Sequence, residues 1–245
     1  MTTLLIELAG PQQAWGSRSR FATRATELAP TKSGVVGLIA SALGLERTAD
    51  LARFNALRFG VRVDQPGRVE RDFQTTRSRD GKTSFPLSHR LYLADAVFVA
   101  GLEGDEALLS EFEHALRAPH YPLFLGRRAF PPAGPIPATI VDTPLEDALA
   151  THPWRAREHH IKSLRTGTVR LEVFRDAGTG EPADFSLSDI PVSFDPRRRM
   201  HAPRGVVRSS IEFPHPSPPA PRPGDDPLGS VTEHDPSALL SDEEF

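Results

Sequence analysis

The chain has 245 residues, 38% of them hydrophobic and 25% charged, enough for one large domain or two small ones with a substantial core. It contains no cysteine, which excludes disulfides and thiolate metal sites and points to a reducing cytoplasm. The formal net charge of −3 comes from 29 basic and 32 acidic residues, unevenly spread. Residues 214–245 hold seven acids (Asp225, Asp226, Glu233, Asp235, Asp242, Glu243 and Glu244) and one base, Arg222, leaving 28 bases against 25 acids elsewhere. A mildly basic body permits a polyanionic partner without requiring one. Glu7 interrupts the first apolar run, unlike a signal peptide, and no stretch approaches the roughly 20 apolar residues of a membrane helix. A cytoplasmic protein with no membrane association is expected.

Residues 3–8, rich in Leu and Ile and ended by Ala9-Gly10-Pro11, read as a buried strand. A polar loop over residues 12–30 carries Trp15-Gly16 and the bases Arg18, Arg20 and Arg24. A helix opens at Pro30-Thr31-Lys32-Ser33, with Thr31 or Ser33 as N-cap and Gly44 as C-terminal cap. Its apolar residues cover most of its circumference, which predicts deep burial. Residues 58–64 alternate polar and apolar, the pattern of a half-buried strand. Residues 68–89 are polar and basic, with Asp80-Gly81 placed for a two-residue hairpin turn at positive φ. A strand over residues 96–102 and an amphipathic helix over residues 105–118 come next, then a fourth short strand at Leu123-Phe124-Leu125, ended by Gly126-Arg127-Arg128.

This order is that of an α+β, ferredoxin-like (RRM-like) β-α-β-β-α-β domain whose second and third strands are joined by an extended basic hairpin. The division expected is a domain over residues 1–130, with the arm at 68–89, and a small β-rich C-terminal lobe over 131–213. A Pro-rich acidic tail over 214–245, too poor in apolar surface to order itself, completes the chain.

Metal chemistry finds no pattern. The nine histidines are scattered, and His159-His160, if on a strand, would point to opposite faces. No phosphate loop or nucleophile elbow occurs, and no cofactor is expected. Gly34-Val35-Val36-Gly37 matches the GxxG of KH modules, a spacing that helix packing also produces. Polyanion chemistry is better served. The helix start at Lys32-Ser33 offers free N–H groups and a positive dipole, and the Gly126-Arg127-Arg128 turn lets backbone approach a polyanion that guanidiniums clamp. The arm interleaves Arg68, Arg71, Arg77, Arg79 and Lys82 with Phe73 and Phe85, which suits single-stranded RNA.

Three blocks carry a resemblance: Leu8-Ala9-Gly10-Pro11-Gln12-Gln13-Ala14-Trp15-Gly16, Pro30-Thr31-Lys32-Ser33-Gly34-Val35-Val36-Gly37-Leu38, and Tyr121-Pro122-Leu123-Phe124-Leu125-Gly126-Arg127-Arg128. In order and spacing they closely resemble the CasD-type subunits of type I-E Cascade, the fifth CRISPR-associated protein family of the RAMP superfamily. Phe194-Asp195-Pro196-Arg197-Arg198-Arg199 resembles the basic segment of that family's C-terminal region. The resemblance implies a non-catalytic subunit that grips the 5′ handle of the guide crRNA. It implies backbone and large Cascade subunits as neighbours, with target DNA met only indirectly. It places Trp15 and Gly16 in a glycine-proline loop, Lys32 and Ser33 beneath the handle, and Gly126, Arg127 and Arg128 in a glycine-rich loop. With Arg24, Arg77, Arg79 and Lys82 these are the RNA-binding candidates. The arm is shorter than the family's thumb, and the acidic tail is outside the family's pattern. The alternative is a metal-independent endoribonuclease acting on CRISPR repeat RNA, as in a related branch, with His89, Tyr92 and Lys82 as its acid–base set.

Overall fold

The structure, a computed structural model, describes residues 1–16, 23–216 and the backbone of 19–20. The elements in chain order are β1 (Thr2–Ala9), β2 (Gln12–Gln13), β3 (Ser19–Arg20), β4 (Thr23–Arg24) and α1 (Lys32–Ala42), then a 3-10 turn at Ala52–Phe54. Next come β5 (Arg58–Gln65), β6 (Arg68–Arg77), β7 (Ser84–Ala94), β8 (Val97–Gly104) and α2 (Glu106–Arg117). The last elements are β9 (Ala138–Val141), α3 (Leu145–Thr151), α4 (Glu158–Ser163), β10 (Thr168–Asp176), β11 (Phe185–Ser193) and β12 (Met200–Pro214). The fold is α+β with mostly antiparallel sheets. Among the described residues no helix is long and apolar enough to cross a membrane.

Seven strands form one sheet in the order β11-β12-β10-β5-β8-β1-β9. Side chains alternate across a strand, so Leu4, Ile6 and Leu8 of β1 join the main core with Val36 and Ile39 of α1 and Phe112 of α2. Leu5 points the other way, into a second core with Leu145, Ala148 and Leu149 of α3. Both faces are therefore covered, which is why β1 reads as a continuous apolar run.

Helix α1 starts where its residues dictate. The Thr31 hydroxyl accepts from the Gly34 N–H at 3.2 Å, and Gly44 takes φ +74° just past the end. Asp105 caps α2 in the same manner, accepting from Leu108 N–H at 3.0 Å.

Several elements differ from the sequence reading. The polar face of β5 is buried rather than solvated, because α3 covers it. Arg62 is 0% exposed, gripping Asp64 at 2.7 and 2.9 Å and donating to the carbonyls of Leu149, His152 and Pro153 at the end of α3. Leu123-Phe124-Leu125 is not a strand. It lies between Pro122 and Gly126, whose φ of +87° turns the chain, and the strand beside β1 is β9, an Ala-Thr-Ile-Val run. The hairpin tip is also looser than two residues. Only Gly81 has positive φ there, and residues 78–83 are closed by Ser78 N–H to Thr83 C=O at 2.8 Å.

Residue 130 marks no break in the sheet. β10 pairs with β5, so β10, β12 and β11 continue the same seven strands. His159-His160 lie on α4, not on a strand. β12 runs through Pro214, and His215 is 6% exposed with its N–H donating to Gly167 C=O at 2.9 Å, so order extends past residue 213. The rest of the expected tail, residues 217–245, lies outside the described residues, as does Arg18 of the basic loop.

A second, smaller sheet is built around β7, which pairs with β6 on one side and with β2 and β4 on the other. It projects the β6–β7 arm, whose strand β6 is exposed at every residue.

Candidate nucleic-acid interface

The arm extends through residues 68–94 and shows both sides to solvent. Paired residues share a face. The β6–β7 register sets Phe73 opposite His89 and Asp72 opposite Arg90, so Arg71, Phe73 and His89 share one face and Asp72, Arg90 and Tyr92 the other. Phe73 is 67% exposed and Phe85 50%, an unusual cost for large apolar rings. Arg68 lies 4.0 Å from Glu70, but Arg71, Arg77, Arg79 and Lys82 enter no ion pair among the described residues. Off the arm the pattern is reversed: Arg58, Arg62, Arg155, Arg157, Arg175 and Arg204 each meet a carboxylate.

At the base of the arm three arginines from distant parts of the chain converge. β4 runs parallel to β7 with Arg24 opposite Arg90. The Arg127 guanidinium donates to Leu91 C=O at 2.8 Å and Arg24 C=O at 3.2 Å, and lies 5.5 Å over the Phe130 ring. Burial, and then the like charges of Arg90 and Arg24, pull the Arg127 pKa below its ordinary value. Arg90 Nε and His89 Nδ1 are buried with no hydrogen-bond partner among the described residues. Crowded cations around an orphaned guanidinium nitrogen are what an anion would relieve, while His89 Nδ1 is orphaned on the other face of β7.

Gly126 sets this loop. Its backbone passes so close to the first motif block that a Cβ would sit 1.7 Å from Ala14 C=O, and Ala14 N–H bonds Leu125 C=O at 3.1 Å. Gly126 and Arg128 are exposed and Arg127 half-buried.

Trp15, Lys32 and Ser33 are buried, where the sequence reading placed them at the RNA surface. Trp15 is 1% exposed, its Nε1–H donating to Gln13 Oε1 at 3.1 Å, and it cannot stack on a base from there. Gly34 makes room for it: a Cβ at that position would lie 2.7 Å from the indole. Gly16 beside it is exposed. Lys32 is 4% exposed, with Nζ donating to Leu57 C=O at 2.6 Å and to Asp176 at 3.1 Å. Asp189 of β11 already occupies the α1 N-terminus, accepting from Lys32 N–H at 2.8 Å, and Ser33 is 8% exposed. Arg204 closes this network on Asp189 and Asp176. Burial works against the Arg204 charge, but the two carboxylates more than offset it and raise its pKa.

Arg90 and Phe130 escaped the sequence reading. The available signal was the His89-Arg90 pair on a strand rich in polar residues, but only the β4–β7 pairing brings it to Arg24. The acid–base set is dispersed. His89 and Tyr92, three residues apart, take opposite faces of β7. Tyr92 O–H donates to Glu70 at 3.0 Å, which raises its pKa. Lys82 is in the tip loop, and from Ser84 to His89 alone is about 17 Å of strand.

The family model described as CRISPR-associated protein (Cas_Cas5) matches residues 3–207. A CRISPR system Cascade subunit CasD from Escherichia coli (strain K12) is 35% identical over 153 residues, covering 54% of this chain and 68% of the relative. A structure titled CRISPR RNA-guided surveillance complex superposes with TM-score 0.71 at 32% identity, over 86% of this chain and 91% of that one. Another, titled Crystal structure of Cas protein, gives TM-score 0.66 at 37% identity over 87% and 95%. With a family match over most of its length, this chain belongs to the CRISPR-associated Cas5 protein family.

Proposed function

We propose that this protein is a non-catalytic RNA-binding subunit of a CRISPR RNA-guided surveillance complex of the Cascade type, gripping the 5′ handle of the guide RNA. The observation that carries this reading is the Arg24–Arg90–Arg127 cluster, which forms no ion pair among the described residues and in which burial, and then the like charges, lower the Arg127 pKa. Phosphates across this cluster would supply the missing charge, with Arg128 at its rim. Phe73 and Phe85 on the arm would stack unpaired bases, and Arg77, Arg79 and Lys82 would track the RNA backbone toward the tip. Neighbouring backbone and large subunits are the protein partners, and target DNA is met through them.

The sheet order β5-β8-β1-β9, with α1 and α2 as the crossovers, supports a ferredoxin-like reading of the centre of the molecule. The opposite facing of His89 and Tyr92 supports the non-catalytic role.

The test is binding of handle RNA and a scrambled RNA to the purified protein at several salt concentrations in EDTA. Tighter binding of the handle, with intact RNA recovered, is expected. Specific cleavage of repeat RNA that is lost in His89→Ala would overturn the non-catalytic reading, and equal affinity for both RNAs would overturn handle recognition.

A further inference from the structure

The sheet face that carries the main core runs on past β5. Residues directly opposite share a face, so Phe174 of β10 continues from Val61, Arg208 from Phe174, and Phe185 and Leu187 of β11 from Val206 and Arg204 of β12. Helix α1 reaches β11 beyond this region, at Asp189 and Phe194. What remains is a groove of about 560 Å³ lined by Phe59, Phe174, Phe185, Leu187 and Leu28, the last of them 66% exposed. β11 is also the outermost strand, and among the described residues only β12 pairs with it. From Phe185 to Ser188 it is exposed or half-buried, before Asp189 and Pro191 become buried. A strand paired on one side leaves alternate N–H and C=O groups directed outward on the other.

The charge around this groove is opposite in sign to that of the arm. Lys32 and Arg204 are matched by Asp176 and Asp189. Glu172 and Asp184 then face one guanidinium, that of Arg208, which pairs with Glu172 while its backbone N–H donates to Asp184 at 2.7 Å. A surplus of carboxylate repels nucleic acid and suits a basic partner.

We infer that an extended segment of a neighbouring protein subunit docks here, adding a strand to the open edge of β11 at Phe185–Ser188. It inserts an apolar side chain into the groove, with a Lys or Arg beside it meeting Glu172 and Asp184. This rests on the reading of the chain as a subunit of a Cascade-type complex. Leu28 follows Arg24 by four residues, so a subunit seated in the groove also braces the segment that brings Arg24 to the RNA cluster.

The experiment assembles the full chain with guide RNA and the backbone and large subunits, with photoreactive benzoylphenylalanine in place of Leu28. Irradiation should link it to a single protein subunit, at a segment with a lysine or arginine within three residues of the linked position. Leu28→Ser combined with Phe185→Ser should raise the concentration needed for half-maximal assembly on the order of tenfold, the effect of withdrawing one buried apolar contact. The isolated double variant should bind handle RNA as the parent does. A link to RNA or to a second copy of this chain, a linked segment without a basic residue, or a double variant that assembles like the parent overturns the inference. If the parent itself enters no complex with these subunits, the Cascade reading fails and the inference falls with it.

Discussion

Arg127 donates through Nη2 to the Leu91 carbonyl oxygen at 2.8 Å, tying the Gly126 loop to the central strand of the arm. Replacing Arg24 and Arg90 with glutamine removes charge and leaves this tie in place. The double variant should bind handle RNA more weakly, with a log–log salt slope shallower by about 0.7 for each phosphate no longer neutralised. Arg127→Gln should do the same and also loosen the arm, seen as faster hydrogen exchange in β7. An unchanged slope in a folded double variant would move the RNA site outward along the arm.

Gly126→Ala tests the loop itself. At φ +87°, with Ala14 C=O where a Cβ must go, alanine cannot be accommodated without moving backbone. The strain should cost about 1–3 kcal/mol, a fall of several degrees in Tm for a domain of this size. A Tm within a degree of the parent would mean that the loop relaxes freely.

Lys32→Ala separates packing from binding. Removing the ammonium takes one cation from Asp176, which keeps Arg204 at 2.8 Å, at a cost of about 1.5–3 kcal/mol. Below its melting temperature the variant should keep the parental salt slope, because Lys32 is not at the surface. A normal Tm with a shallower slope would return Lys32 to the RNA.

Acid should loosen the fold before any carboxylate is involved. Burial lowers the pKa values of His152, His160 and His201 in the folded protein. The unfolded chain then takes up protons first, near pH 6.5, so their contribution is intact above that value and declines as pH falls toward the folded pKa values. Glu181, held near 2 by the Arg175 guanidinium, loses its contribution only below about 4.5. Tm should fall between pH 7.5 and 5.5, and His152→Gln should flatten part of that fall. A Tm constant over this range would show the histidines to be solvated.

The elements legible in the sequence are those whose own residues decide them: β1 by its apolar run, α1 by its caps, α2 by its apolar stripe, the arm by alternating basic residues and rings. The rest depended on distant partners. The polar face of β5 looked solvated because nothing local announces that α3 will cover it. Leu123-Phe124-Leu125 looked like a strand because apolarity in three residues does not distinguish a strand from a buried loop. At the site, the sequence does not announce which of the candidate residues reach the surface. Lys32 and Trp15 have the chemistry of RNA contacts, but Asp189 and Gly34 claim them first. Arg90 went unnoticed since only the parallel pairing of β4 with β7 sets it beside Arg24.

Asp189 sits on the outermost strand of the seven and yet closes the first helix, across a sequence separation of 157 residues. A ribosome making about 5–20 residues per second delivers that carboxylate roughly 8–30 s after Lys32. Through most of that interval Thr31 caps the helix alone, the Lys32 N–H has no Asp189 to accept it, and the Lys32 ammonium has no Asp176. The amino-terminal half is thus kept from maturing alone, and commitment of the first helix to its place becomes a late event that reports arrival of the last strands.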